Sequence, residues 1–391
     1  MVRAIAITDR GVEKVLAMEV SEIAGASCEE QDSCVTFDAK DYDTLFRLCY
    51  LSQASDRVGA LFGSFEFEGL DDFLGKARET VTKAGLKEWL SEGCGFKVFC
   101  DRRGIHDFNS IIIEQEMGGI ILEKSKEELG FEPRVELKQP DIIFLAFVNQ
   151  DRAYLGVDFC GRDLSKRNYR IFTAPGIVNA KVAYSMARIA GYEKKLKMVD
   201  LYSKAGIVAI ESALWKSGIS VNYYSKDFAF RKIPAFSDRD WDAYFKAIDS
   251  RKKAEPLSIT GFDPILRNLE AAKKNAKLAG VDKLVRFSKL DLEWADVKLD
   301  HSTVDLVVSR IPSVSHRVSE NALRKVYSEL FYQAEFFLKS GGKLCVLAES
   351  LALFREGITQ DFRTVSEELL WAGGLQYEYL ILERLPRKKK A

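Results

Sequence analysis

Histidine and paired cysteine are the scarcest chemistry in this sequence. Its 391 residues hold three histidines, His106, His301 and His316, and seven cysteines, at 28, 34, 49, 94, 100, 160 and 345, none in a C-x-x-C pair. A structural zinc site needs clustered soft ligands and a disulfide framework an even, spaced set, so neither a metal nor disulfides are expected, and a reducing, cytoplasmic compartment fits. Long apolar runs are missing too. No stretch approaches the roughly 20 residues of a membrane span, and the opening run Ala4–Ile7 is too short for a signal-peptide core. Lys+Arg and Asp+Glu both total 58, which excludes a uniformly basic coat. Nucleic acid would have to be met by a local patch. The tail Arg387-Lys388-Lys389-Lys390 reads as a solvated terminus. No G-x-G-x-x-G turn follows a strand, which disfavours a dinucleotide-dependent dehydrogenase.

What is present suits two or three domains, 47% of the residues being hydrophobic. Residues 1–65 alternate strand and helix: strand Ala4–Ile7, a helical stripe of Val12, Val15, Leu16 and Val20, strand Cys34–Phe37, a helical face of Leu45, Leu48, Cys49 and Leu51, and a strand from Arg57. This predicts a small ferredoxin-like α+β unit. Residues 66–165 predict a second unit, with helices at Phe73–Ala84 and Asn109–Leu122, strand Phe96–Cys100, and a hairpin of Ile142–Val148 and Ala153–Val157. From 166 to 391 strands and helices alternate, the pattern of a doubly wound α/β sheet. Its strands are expected at 197–200, 258–263, 285–290, 304–309, 342–347 and 376–383. A polar segment at about 222–255 reads as an insertion.

Three stretches carry nucleic-acid chemistry in combination. Phe96–Cys100 leaves through the basic, glycine-broken turn Asp101-Arg102-Arg103-Gly104-Ile105-His106 into a helix. Pro140-Asp141-Ile142-Ile143 opens a buried strand. Tyr154-Leu155-Gly156-Val157-Asp158 runs on to Lys166-Arg167-Asn168-Tyr169-Arg170. The cations can neutralise phosphates, Gly104 admits close backbone approach, and Tyr169 either stacks on a base or packs. Together these stretches resemble the THUMP domain and the ferredoxin-like domain that precedes it in tRNA and rRNA modification enzymes. The resemblance implies RNA contacts at Arg102, Arg103, His106, Lys166, Arg167, Tyr169 and Arg170.

The C-terminal half shows three strand-end acids in order: Asp200 after Met198-Val199, Asp263 after Gly261-Phe262, and Asp291 after the third strand. A class I methyltransferase uses such acids around its cofactor, the second on the ribose hydroxyls and the third on the adenine amine. With Gly206, the segment Ala174-Pro175 and the insertion Asp227–Pro234, this resembles THUMP-linked guanine-N2 RNA methyltransferases and extends over essentially the whole chain. It implies a Rossmann-like methyltransferase domain, with S-adenosylmethionine held by Pro175, Asp200, Gly206, Asp263 and Asp291.

Two motifs depart from that family. Its first turn, D-P-x-C-G-S-G-T, reads Asp200-Leu201-Tyr202-Ser203-Lys204-Ala205-Gly206-Ile207, so that Lys204 replaces a glycine where cofactor should approach backbone. Its fourth strand ends in N-P-P-Y, here Arg310-Ile311-Pro312-Ser313. Arg310 has donors only and cannot accept from a target amine, it opposes positive charge developing there, and Ser313 offers no stacking face. His316 is the nearest candidate base, and a solvated loop histidine is the simpler reading. The expectation is an RNA-binding relative whose methyl transfer is lost or weakened. An active guanine-N2 methyltransferase with a remodelled base pocket at 310–313 is the alternative, and a docking subunit for an active protein partner is the third role.

Overall fold

The computed structural model describes residues 1–250, 255–314 and 318–386. The expectations for His316 and the basic tail lie outside the described residues, as does a short part of the insertion. The chain divides into two compact units, one of residues 1–8, 16–164 and 225–250, the other of 9–15, 165–224 and 251–391.

The first unit is built on one eight-stranded sheet. Its strands are β1 (Val2–Ile7), β2 (Cys28–Gln31), β3 (Cys34–Ala39), β4 (Arg57–Glu66), β5 (Gly95–Arg103), β6 (Arg134–Val135), β7 (Ile142–Asn149) and β8 (Arg152–Asp158). Their order is β2-β3-β1-β4-β8-β7-β5-β6. β4 ends at the boundary expected near residue 65 and pairs antiparallel with β8, so the stretches 1–65 and 66–165 share a single sheet. β7 is buried along its whole length, which explains why its sequence is continuously apolar rather than alternating. β5 and β7 run parallel and need a crossover, supplied by helix Ser110–Leu129. Asn109 caps that helix, accepting from Ile112 N at 3.1 Å, and left-handed Gly130 closes it.

The segment expected as a polar insertion is apolar where it matters. Phe230 and Trp241 lie 4.7 and 5.0 Å from the Phe46 ring on helix Tyr42–Leu51, and Phe228 stacks on Phe230 at 5.1 Å. Aromatic area of this kind dominates burial energy, and it binds 225–250 into the first unit.

The second unit holds β9 (Met198–Asp200), β10 (Ile259–Asp263), β11 (Val285–Lys289), β12 (Val304–Arg310), β13 (Leu338–Ala348), β14 (Phe362–Ala372) and β15 (Leu375–Arg384). The order is β11-β10-β9-β12-β13-β15-β14. The first five are parallel, while β15 and β14 pair antiparallel. The order reverses between β9 and β12, and a crevice opens outside the carboxyl ends of strands at such a switch point. One face buries Val199, Val307, Leu344 and Val346 against Tyr327 and Phe331 of helix Glu320–Phe337. β14 was not expected, and β13 starts at Leu338 rather than 342. Of the described residues, no helix is long and apolar enough to cross a membrane, and no cluster of three ligating side chains is placed to hold a metal.

Candidate cofactor cleft and nucleic-acid-facing residues

The parallel register brings the strand-end acids to one edge of the second unit. Asp200 lies opposite Gly261, so Asp263 extends two residues further. Asp200 is 1% exposed. Its carboxyl accepts from Ser309 Oγ at 2.6 Å and from Tyr202 N at 3.3 Å, and burial pushes it up to about 7. Asp263 accepts from Lys204 N at 2.9 Å, Ile265 N at 2.9 Å and Asn268 Nδ2 at 2.8 Å. Asp291 is exposed, its nearest cation being Lys289 at 3.8 Å. It lines an open cavity of about 470 Å³ together with Tyr202, Pro264, Trp294 and Lys325.

Gly206 takes φ +83 at the start of helix Ile207–Ser217, and a Cβ there would come within 2.9 Å of Phe287 and Ala272. This position therefore requires glycine. Lys204, two residues earlier, also adopts a left-handed φ of +49. Its ammonium donates to Gly176 O at 2.7 Å, and burial together with the adjacent Arg310 cation holds its pKa below the ordinary lysine value. Arg310 donates to the same carbonyl at 2.8 Å and to Glu349 Oε1 at 2.9 Å. The space among Gly176, Asp200, Ser203, Lys204 and Arg310 is about 10 Å³, the threshold for one water.

The residues present thus fit S-adenosylmethionine unevenly. The acids and the open cavity over Asp291 suit an adenosine. The methionyl end, where glycine-rich backbone should face the ligand, is filled by Lys204 and Arg310 clasping Gly176. Exposed Pro175 sits beside that clasp. The degenerate fourth-strand motif is likewise committed to the fold. Ile311 is buried and its amide donates to Leu347 O, Pro312 O accepts from Tyr327 at 2.5 Å, and Ser313 Oγ is buried without a partner among the described residues. Asn268 and Glu349 were not picked out from the sequence. The only signal available for them was a polar residue closing an apolar strand or opening a helix.

Of the residues expected to meet RNA, Arg102 donates to Gly104 O and lies 2.8 Å from His106 Nδ1, so it braces the basic turn itself. Arg103 reaches Thr8 O at 2.5 Å and Asp101 at 3.0 Å. His106 stacks on Phe67 and contacts Gln150 O at 2.6 Å. Lys166 is exposed and Arg170 half-buried. Arg167 and Tyr169 do not face solvent. Arg167 makes a bidentate ion pair with buried Glu211 at 2.9 and 3.1 Å, and Tyr169 Oη donates to the same carboxylate at 2.6 Å. A buried glutamate demands such partners, and they turn Arg167 and Tyr169 inward, Tyr169 packing rather than presenting its ring to solvent.

A strand-end acid series on a seven-stranded sheet with an antiparallel final pair defines a class I methyltransferase fold. Residues 167–376 match the RMKL-like methyltransferase domain, and residues 77–158 match the THUMP domain. The first match covers more than half of the chain, which therefore belongs to the RMKL-like methyltransferase family and carries a THUMP domain. It is 26% identical over 371 residues to the tRNA (guanine(6)-N2)-methyltransferase of Methanocaldococcus jannaschii, covering 93% of this chain and 95% of the relative. The enzyme of the same name from Archaeoglobus fulgidus is 25% identical over 385 residues, covering 97% and 92%. The crystal structure of TrmN from Thermus thermophilus shares the fold, with a TM-score of 0.70 at 19% identity over 98% of this chain and all of that one.

Proposed function

We propose that this protein binds structured RNA, tRNA or rRNA, as a member of the THUMP–methyltransferase family in the cytoplasm, and that its capacity for methyl transfer is lost or weakened. The observation that carries the second part is the clasp of Lys204 and Arg310 on Gly176 O, which leaves about 10 Å³ at the methionyl end of the cleft. The Asn side-chain oxygen that would aim a target amine is replaced by a guanidinium engaged with Glu349. The THUMP match and the exposed cation Lys166 support the first part.

The alternative is an active S-adenosylmethionine-dependent guanine-N2 methyltransferase. The comparisons support it better than the loss of activity, because both archaeal relatives are named as guanine-N2 methyltransferases and match nearly the whole chain, and the open cavity over Asp291 agrees with it. Calorimetric titration with S-adenosylmethionine separates the two. Micromolar binding puts the enzyme first. No binding, with salt-sensitive binding of a tRNA transcript measured in parallel, supports the silent RNA binder.

A further inference from the structure

Far from the strand-end acids, the second unit carries a cavity of about 480 Å³. It lies along the last two turns of helix Leu266–Ala279, whereas Asn268, which donates to Asp263, sits in the first, roughly 9 Å from Lys274 and 15 Å from Leu278 along the axis at 1.5 Å per residue. Asn168, Phe172, Leu214, Tyr224, Lys274 and Lys277 line it, and no carboxylate does among the described residues. The lining is predominantly apolar, with a few polar groups at its mouth, and the volume falls in the range of small-ligand sites. Tyr224 is 69% exposed and Phe172 37%. Both rings are thus accessible to a ligand in the cavity.

Phe172 is held in place. Its N–H donates to Asn275 Oδ1 at 3.1 Å, and its carbonyl accepts from Asn275 Nδ2 at 2.8 Å, the asparagine being fully buried. Lys274 Nζ lies 4.9 Å from the Phe172 ring centre, and Lys277, three residues on, projects from the same helix face. The site therefore offers an aromatic ring on an anchored backbone, a second ring, two ammonium groups and the Asn168 amide. A flat heteroaromatic ring with an anion attached complements this set. A fatty acyl anion would use the lysines but neither the ring faces nor the amide.

We propose that this cavity takes one unstacked nucleotide of the bound RNA, its base against Phe172 and Tyr224 and its phosphate on Lys274 and Lys277. Base–aromatic stacking with a nearby cation is how single-stranded nucleotides are held without a duplex groove. The proposal rests on the RNA-binding reading above and deepens it, assigning a contact in the methyltransferase-like unit independent of the cofactor cleft.

The test uses the full chain, the four 5′-nucleoside monophosphates and a tRNA transcript, with Tyr224→Ala and Lys274→Glu as variants. Both side chains are exposed, and unchanged melting temperatures check that the variants fold. The expected result is monophosphate binding that each variant weakens by about fivefold or more, the lower end of base–aromatic stacking, together with reduced tRNA affinity. A transcript carrying 4-thiouridine should cross-link to peptides containing Phe172 or Tyr224. If the transcript binds wild type and both variants equally and no cross-link maps there, the cavity proposal is overturned while RNA binding stands. If the transcript does not bind at all, the RNA reading itself fails, and the cavity proposal falls with it whatever the monophosphates do.

Discussion

Replacing Lys204 by glycine should open the methionyl end of the cleft without unfolding the protein. At φ +49 a side chain costs about 1–2 kcal/mol relative to glycine, so the substitution relieves backbone strain. It also removes the ammonium's hydrogen bond to Gly176 O. A hydrogen bond to a charged donor contributes about 1.5–3 kcal/mol when shielded and less at the partly exposed mouth of a cleft. The depressed pKa of Lys204 shows that burial and the Arg310 cation already disfavour its charge. These contributions oppose one another, and the net change should stay within about 1 kcal/mol, or roughly 2–4 °C in Tm.

Ligand binding should change far more. Wild type should give no calorimetric signal with S-adenosylmethionine, Lys204→Gly a measurable Kd, and Lys204→Gly/Arg310→Asn a tighter one, because Arg310 holds the same carbonyl. At ligand concentrations a hundredfold above Kd, binding adds about 2.7 kcal/mol of stability, so melting curves check the titration independently. Wild type binding as tightly as the double variant would refute the reasoning. It would show that the lysine stem swings clear of the ligand, and would put the active methyltransferase ahead.

Asp200 makes a pH prediction. Its carboxyl is raised to about 7 by burial from an ordinary value near 4, so the fold prefers its neutral form. The stability this gives is complete below about pH 4 and lost as pH rises through 7, a decline of at most about 4 kcal/mol. Asp200→Asn keeps the acceptor for Ser309 and should stabilise the protein at pH 8.5 but not at pH 4 in denaturant titrations; parallel pH curves would count against it. Arg167→Ala should cost about 3–5 kcal/mol, because it strands buried Glu211. Lys166→Ala should change stability by less than about 0.5 kcal/mol and instead weaken tRNA binding, with a salt slope shallower by about one. The reverse pattern in denaturant and filter-binding assays would restore Arg167 as a phosphate contact. Gly206→Ala should destabilise by about 2 kcal/mol or more, from left-handed backbone and overlap with Phe287 and Ala272, read as a lower urea midpoint.

How far the sequence reveals this molecule depends on whether the partners of a residue are local. β7 is a buried run whose apolar continuity is written into the strand itself, Asp200 and Asp263 end β9 and β10, and Asp291 follows β11 by two residues, so the order of the three acids could be read off directly. The unexpected β14, Phe362–Ala372, reads FRTVSEELLWA and keeps most of one face exposed as an edge strand. Its charges argue against a strand until β15 is known to pair with it. The insertion reads as polar by composition because its aromatics are spread over some twenty residues; only packing on Phe46 shows that they form one cluster. The same limit governs function. Arg167 and Lys166 are adjacent and chemically alike, and nothing local says which of them faces solvent. The decision is made by Glu211, 44 residues away and fully buried, which must be neutralised and therefore takes Arg167 and Tyr169 inward. At the cofactor turn the dependence runs the other way. A lysine at a glycine position was legible as an anomaly, but its consequence required Gly176 and Arg310 from two distant segments to meet it. A substitution in a motif therefore marks a place to look, while the distant residues that meet it decide what that place can hold.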